Sequence, residues 1–373
     1  MLNRLRTGAT SAIIANGLVF AIVAYAALLI EYDSDLYYLG IQEDEYLEWA
    51  TFWAFLITAA LSIVAAVRQH RLGQGLPWFL TGIALFCLFV ALEEISWGQR
   101  LLGYRPPVYF LDQNFQQEFN IHNVVDTRYR KLALKAVIIG YGGILPVLQL
   151  VPASGRLLTR LGVIAPPLGL LPMFLATYIL YAWYPWSHTG EWVELLLGLG
   201  FLFAALVAAQ HYQAGIAGAA SASLPVGLLL STCVAVVTLG FVTAAAARHQ
   251  TQVHPGNVIA VKSELSALQE DFESGRVRLR CNLHKRLYTF VQEYDQTYLN
   301  SGAFSALSLQ GMPEERAEFF IDPWNSPYWI RDRCASQNGL RTTFVYSLGP
   351  NRRRDSTRTE IYGDDIGAYI SAK

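Results

Sequence analysis

The stretch PWFLTGIALFCLFVALEEISWGQR, from Pro77 to Arg100, decides how this chain is read. It begins as an unbroken apolar run and closes on Glu93-Glu94, two adjacent carboxylates. An apolar run of this length is a candidate membrane helix, which needs about 20 residues to cross a bilayer core. Ionisable groups at the end of such a helix are costly in lipid and mark a functional site by default.

The pattern recurs outward from this run. With 77–97, apolar stretches at 10–31, 48–67, 132–152, 163–184, 191–210 and 223–246 give an expectation of seven spans. The first follows Arg4 and Arg6, as a signal peptide would. It is too long and lacks a small-residue exit, so an uncleaved span is expected. The chain is 53% hydrophobic, and its charge is uneven. Residues 1–246 hold 12 Lys/Arg and 14 Asp/Glu; the much shorter 247–373 hold 16 and 15. This predicts a polytopic membrane domain over 1–246, a linker at 247–256 and a soluble domain at 257–373. A net charge of -1 gives no footprint for nucleic acid.

Basic residues in short loops set the orientation. Arg4 and Arg6, Arg68 and Arg71, and Arg156 and Arg160 fall on alternate connections, whereas 32–47 and 185–190 have no Lys or Arg. The expected N-terminus is cytoplasmic, in a bacterial inner membrane, with the tail extracytoplasmic. The loop at 98–131 departs from the rule with Arg100, Arg105, Arg128, Arg130 and Lys131. In this topology every acid of residues 1–246 falls toward the outer side. Cys87 and Cys233 read as small apolar residues within spans. Cys281 and Cys334 lie in the tail, where an oxidising compartment permits a disulfide.

The candidate polar site is Glu93, Glu94, Glu118, His122, His188, Glu191 and Glu194. Ser187 is the expected N-cap of the sixth span, and His188, Glu191 and Glu194 follow at spacings of three, near one helical face. Glu118 and His122 share a face if Asn114–Asn123 is helical. Glu48 stands at the mouth of the second span, beside an acidic, Tyr-rich loop that reads as a solvated interfacial cap. Of these, His122, His188, Glu118 and Glu191 are the candidate ligands for a divalent transition metal. Such a metal would activate water or polarise a carbonyl or phosphoryl group. Without metal, paired carboxylates serve as acid and base. The bland alternative is an ion-pair network in which Arg100 and Arg105 neutralise Glu93 or Glu94 and Trp97 anchors the interface.

In the tail, Val261, Leu265, Leu268 and Phe272 recur at 4-3-4 spacing and predict an amphipathic helix. A second helix is expected at Leu283–Tyr294, then strands at Tyr328–Arg331 and Thr342–Ser347.

Two resemblances rest on local strings. EEISWGQR followed by NFQQEFNIHN is similar to uncharacterised multi-pass bacterial membrane proteins, which implies no activity. In the tail, DPWNSPYW (322–329), FVYSLGPN (344–351) and GDDIG (363–367) occur in an order that resembles the C-terminal domain of the major pseudopilin of type II secretion systems. That resemblance implies a helix packed on a small antiparallel sheet. It also implies a calcium-binding loop with Asp365 as a ligand, although Asn351 replaces the family's Asp and Arg352, Arg353 and Arg354 replace its Gly-rich acidic loop. A pseudopilin's leader, peptidase site and single helix with an early Glu are missing, so polymerisation into a pilus is not expected.

The expected fold is thus an α-helical polytopic membrane domain of about seven spans, followed by a small α+β pseudopilin-like extracytoplasmic domain. The first functional expectation is envelope binding or assembly. Residues 257–373 would contact a protein partner through an exposed patch around Phe319, Phe320 and Trp324, and the spans would contact lipid. The alternatives are a metal-assisted or acid/base enzyme acting on a lipid-linked or periplasmic substrate, and a transporter.

Overall fold

The computed structural model describes residues 7–42, 44–114, 116–216, 224–250, 255–273, 283–294, 312–333 and 341–370. They form two compact units: Met1–Trp97 with Val125–Ala245, and Gly98–Val124 with Ala246–Lys373.

The first unit is helical: α1 (Ala9–Tyr32), α2 (Ser34–Gly40), α3 (Tyr46–Arg71), α4 (Trp78–Glu94), α7 (Thr127–Val137), α8 (Leu145–Leu148), α9 (Pro152–Arg160), α10 (Leu171–Trp183), α11 (Thr189–Ile216) and α12 (Val226–Gln250). Short α5 (Gln99–Leu102) and α6 (Val108–Gln113) belong to the second unit. A π-helical segment, Ile138–Ile144, joins α7 to α8. Among the described residues, five helices are long and apolar enough to cross a membrane: Ala9–Tyr32, Tyr46–Arg71, Thr127–Leu148, Thr189–Ile216 and Val226–Ala247. The other two expected spans form shorter helices. The 17 residues of α4 reach about 26 Å at ~1.5 Å per residue. Pro166-Pro167 precede a 3₁₀ turn, so α10 starts late and has 13 residues.

Burial sorts these helices. α11 is apolar on all sides, and its span window is 94% buried, so it is the core of the unit. α3 packs beside it, and α4 packs beside α3. Gly198 of α11 meets Ala54 and Phe55 of α3 so closely that an added Cβ would lie 3.1 Å from the Ala54 methyl. Small residues are what let two helix backbones approach in lipid. α1 and α12 present apolar side chains outward, Ile13 at 72% and Val234 at 64% exposure. Water would make that surface costly and lipid would not.

The second unit centres on a four-stranded antiparallel sheet in the order β1-β2-β3-β4: Leu283–Arg286, Trp329–Arg333, Thr342–Ser347 and Ile366–Tyr369. The helix expected from Leu283 starts later: β1 takes the first four residues, and α14 spans Leu287–Tyr294. α13 spans Pro255–Glu273, and Val261, Leu265, Leu268 and Phe272 are all buried against Ile330 and Val345 of the sheet. Of the expected linker, α12 runs to Gln250 and α13 starts at Pro255; residues 251–254 lie outside the described set. Cys281 and Cys334 lie outside it too.

The conspicuous tail motif has a structural task. Asp322 is fully buried; its Oδ1 accepts from the amides of Trp324 and Ser326, both at 2.9 Å, and its Oδ2 from Ser347 Oγ at 2.5 Å. One carboxylate thereby shapes the turn and ties it to β3.

Residues 98–124 join this unit although they precede it by more than a hundred residues. Leu111 packs with Phe319 and Ile321 in a small buried cluster. Arg105 pairs with Glu315 at 3.1 Å and lies 5.7 Å over the Phe319 ring. Gln117 Nε2 donates to the Phe319 carbonyl at 3.0 Å, and Tyr288 Oη to Asp112 at 2.5 Å.

Candidate carboxylate site

Three helix ends in the first unit supply the acids. Glu48 sits in the first turn of α3, and its Oε2 accepts from the Asp44 amide. Glu191 and Glu194 lie near the start of α11, where the helix dipole favours a negative charge. Glu93 and Glu94 are the last residues of α4, where the dipole opposes one. Helix stability therefore gives no reason for acids at that end of α4.

The fields of Glu194, Glu191, Glu48 and Glu93 all act on Glu94. Five carboxylates from α3, α4 and α11 thus share one neighbourhood. Four of the candidate residues come together here, and Glu48 joins them.

The chain leaves α4 through three residues of positive φ, Ser96 (47°), Trp97 (55°) and Gly98 (76°). Only glycine adopts that region without cost. The turn folds Trp97 back so that its Nε1–H donates to Glu93 Oε1 at 2.6 Å, with the ring edge-on to Phe89. Glu93 is 4% exposed, so the indole satisfies a buried carboxylate. On the far side, Glu194 of α11 and Arg130 of α7 both act on Tyr181 of α10. Lys135 and Lys131 lie over the rings of Tyr181 and Tyr184 at 5.9 and 5.1 Å. Acids, a tyrosine and cations therefore adjoin one another.

The remaining candidates stand on none of α3, α4 and α11. α11 begins at Thr189, whose Oγ1 accepts from the Trp186 amide at 3.2 Å and donates to the Trp186 carbonyl at 2.7 Å. His188 precedes the helix with φ 61° and packs edge-on to Tyr38, so it does not share the helical face of Glu191 and Glu194. Glu118 and His122 belong to the second unit and lie in turns, not in a helix. Asn114 Nδ2 donates to the Glu118 carbonyl at 2.6 Å and to Asn120 Oδ1 at 2.8 Å, and Asn120 Nδ2 to Glu118 Oε2 at 3.1 Å. Such local side-chain bonds compete with helix formation. Glu118 is held in that network. Arg105 pairs with Glu315, and the side chain of Arg100 lies outside the described set.

Among the described residues, no three His, Cys, Asp or Glu side chains are grouped to hold a metal ion. In the loop after β3, Asp365 Oδ2 accepts from the Ser356 amide at 2.8 Å, and Asp364 Oδ2 from the Asn351 amide at 3.0 Å. Asp355 accepts from Asn351 Nδ2 at 2.9 Å and pairs with Arg353 Nε at 3.4 Å. Asp364 Oδ1 and Asp365 Oδ1 are buried without a hydrogen-bond partner, and a proton serves them as well as a cation. Burial first, then neighbouring Asp355, pushes Asp365 up to about 7. Burial first, then its hydrogen bond to Asp355, pushes Asp364 up to about 6. With a guanidinium already on Asp355, this loop is a self-tied turn and does not fit a resident calcium ion.

No family model, curated protein or solved structure matches the chain.

Proposed function

We propose that this is a multi-pass membrane protein whose working site is the carboxylate cluster around Glu94. It performs acid/base chemistry on a lipid-linked or periplasmic substrate at the extracytoplasmic face. The observation that carries the reading is the convergence of Glu48, Glu93, Glu191 and Glu194 on Glu94. Crowded carboxylates divide into proton-holding and proton-accepting members, which is what acid/base catalysis needs. Trp97 holds Glu93, and Tyr181 with Arg130 borders the cluster. In this reading α4 and α10 also span, which gives seven spans, a cytoplasmic N-terminus in a bacterial inner membrane, and an extracytoplasmic second unit.

Envelope binding through a pseudopilin-like second unit is the second reading. It is supported by α13 lying on an antiparallel sheet and by the order of the tail motifs. It is weakened at the expected patch, because Phe319, Phe320 and Trp324 are 2%, 2% and 5% exposed.

The test is untargeted mass spectrometry of lipid and periplasmic extracts from cells expressing the wild type, Glu94→Gln or Glu194→Gln at equal abundance. The enzyme reading expects at least one species whose level follows the wild type and neither variant. Identical profiles overturn it. Stoichiometric transition metal in the purified protein would replace the metal-free acid/base route with a metal-assisted one.

A further inference from the structure

The end of the first unit away from Glu94 has a chemistry of its own. α3 runs from this region's opposite, beside Glu48, down to Arg71, and α4 starts at Trp78 and climbs back to Glu93 and Glu94. α11 starts beside Glu191 and comes down to the same end, where Arg68 Nη1 donates to its Ala209 carbonyl at 2.8 Å. α9 is fastened there as well. Trp78 Nε1 donates to the Leu161 carbonyl at 2.7 Å, and an added Cβ on Gly162 would lie 3.2 Å from that same nitrogen. The sequence that builds this end is free of acids: residues 49–92, 127–190 and 195–263 contain no Asp or Glu. To this end the four helices contribute Arg68, Arg71, Arg156 and Arg160 and no carboxylate.

α9 has nine residues, about 14 Å of helix, too short to cross a bilayer core. Gly155 and Leu158 are buried and attach it to the unit. Its outer sides divide by chemistry. Leu157 and Leu161, four positions apart, are 55% and 51% exposed. Arg156 and Arg160, also four positions apart and so neighbours on the helix surface, are both exposed. Neither guanidinium has an ion-pair partner among the described residues. Leu150 and Val151 before the helix and Leu76 beside Trp78 extend the exposed apolar surface. The helix dipole accounts for Arg160, in the last turn, but not for Arg156. Water makes the leucine pair costly and hydrocarbon makes the arginine pair costly. The headgroup boundary of a bilayer suits both.

We propose that α9 is a docking surface for an anionic phospholipid. The phosphate oxygens lie on Arg156 and Arg160, whose planar forks match them, and the acyl carbons cover Leu157 and Leu161. Trp78, bonded to the end of α9, fixes the helix at that depth, as interfacial indoles do. A zwitterionic headgroup would bring its own cation to the arginines, so an anionic one is the better match. The inference is independent of the carboxylate cluster, which stands at the other ends of α3, α4 and α11.

The test is hydrogen exchange of residues 152–161 in the full-length protein, in nanodiscs of phosphatidylcholine and of an equimolar mixture with phosphatidylglycerol. Exchange there should be about tenfold slower in the mixture, the effect of a ligand present at some ten times its Kd. Arg156→Gln/Arg160→Gln, at two exposed positions, should remove the slowing, and Arg156→Lys/Arg160→Lys should keep part of it, because the charge stays and the fork is lost. Equal exchange in the two bilayers overturns the proposal, as does slowing that persists in Arg156→Gln/Arg160→Gln. Inorganic phosphate added to the phosphatidylcholine discs should not reproduce the slowing; if it does, the arginines take a free anion and the lipid surface is overturned.

Discussion

Trp97 donates its indole N–H to Glu93 at 2.6 Å, across the strained turn that ends α4. The backbone of Ser96 and Trp97 enters a region that side chains disfavour, and the bond to a buried carboxylate offsets that cost. Trp97→Phe keeps a ring for Phe89 and removes the donor. It should destabilise the first unit by about 1.5–3 kcal/mol, the range for hydrogen bonds to charged groups. Thermal unfolding in detergent measures this; a midpoint equal to wild type would show that the bond contributes nothing.

Glu94 should respond in the opposite direction. It is buried among four other carboxylates, a place that disfavours its charge, so Glu94→Gln removes the cost of setting an acid there while keeping the shape. We expect a higher unfolding midpoint at neutral pH together with loss of the wild-type extract signature. A lower midpoint would mean that Glu94 is held by a cation whose pairing outweighs the repulsion.

Leu111 is 1% exposed and wedged against Phe319 and Ile321. Leu111→Ala should cost about 2–5 kcal/mol, as buried Leu→Ala changes do. The loss should appear as faster hydrogen exchange in residues 316–321 of the full-length protein. Unchanged exchange there would rule out a shared core.

Gly142 accommodates the Phe174 ring so closely that an added Cβ would lie 2.0 Å from its Cγ. Gly142→Ala should therefore lower the unfolding midpoint, and Gly142→Ala with Phe174→Leu should recover part of the loss. Absence of recovery would place the damage in the π segment rather than in the overlap.

The second unit should lose stability as pH rises. Asp365 is raised to about 7, Asp364 to about 6 and Asp322 to about 6, from ordinary values of 3.8. The folded form holds protons that the unfolded chain has released between about pH 4 and 7, so stability falls through that window as pH increases. Hydrogen exchange of residues 343–365, corrected for intrinsic rates, should be slower at pH 5.5 than at pH 8. Asp365→Asn should flatten the dependence; an unaltered slope would assign it to other groups.

How much of this was legible in the sequence depends on how local the signal is. The 4-3-4 spacing of Val261, Leu265, Leu268 and Phe272 is written within one helix, and all four are buried as read. The strand expected at Thr342–Ser347 forms over those same residues. Glu93, Glu94, Glu191 and Glu194 could be grouped in advance because each stands beside an apolar run. His188 falls off the face of Glu191 and Glu194 because α11 starts one residue later, at Thr189. The docking of 98–124 onto the tail carries no period at all. Arg105 and Glu315 are 210 positions apart, and nothing near either names the other. Asp322 stands out within its local string, but its bond to Ser347 depends on two segments 25 positions apart lying side by side.

The inserted segment also has consequences for biosynthesis and for genetics. Leu111 and Arg105 leave the ribosome long before Phe319 and Glu315, so the cluster around Leu111 cannot close until some two hundred further residues have been made. Until then the segment waits while α7 to α12 are made. Nor can the unit be excised as one cassette: a gene fragment encoding 246–373 alone would lack the wedge that covers Phe319 and Ile321. Fusions and swaps of this tail should succeed only when residues 98–124 travel with it.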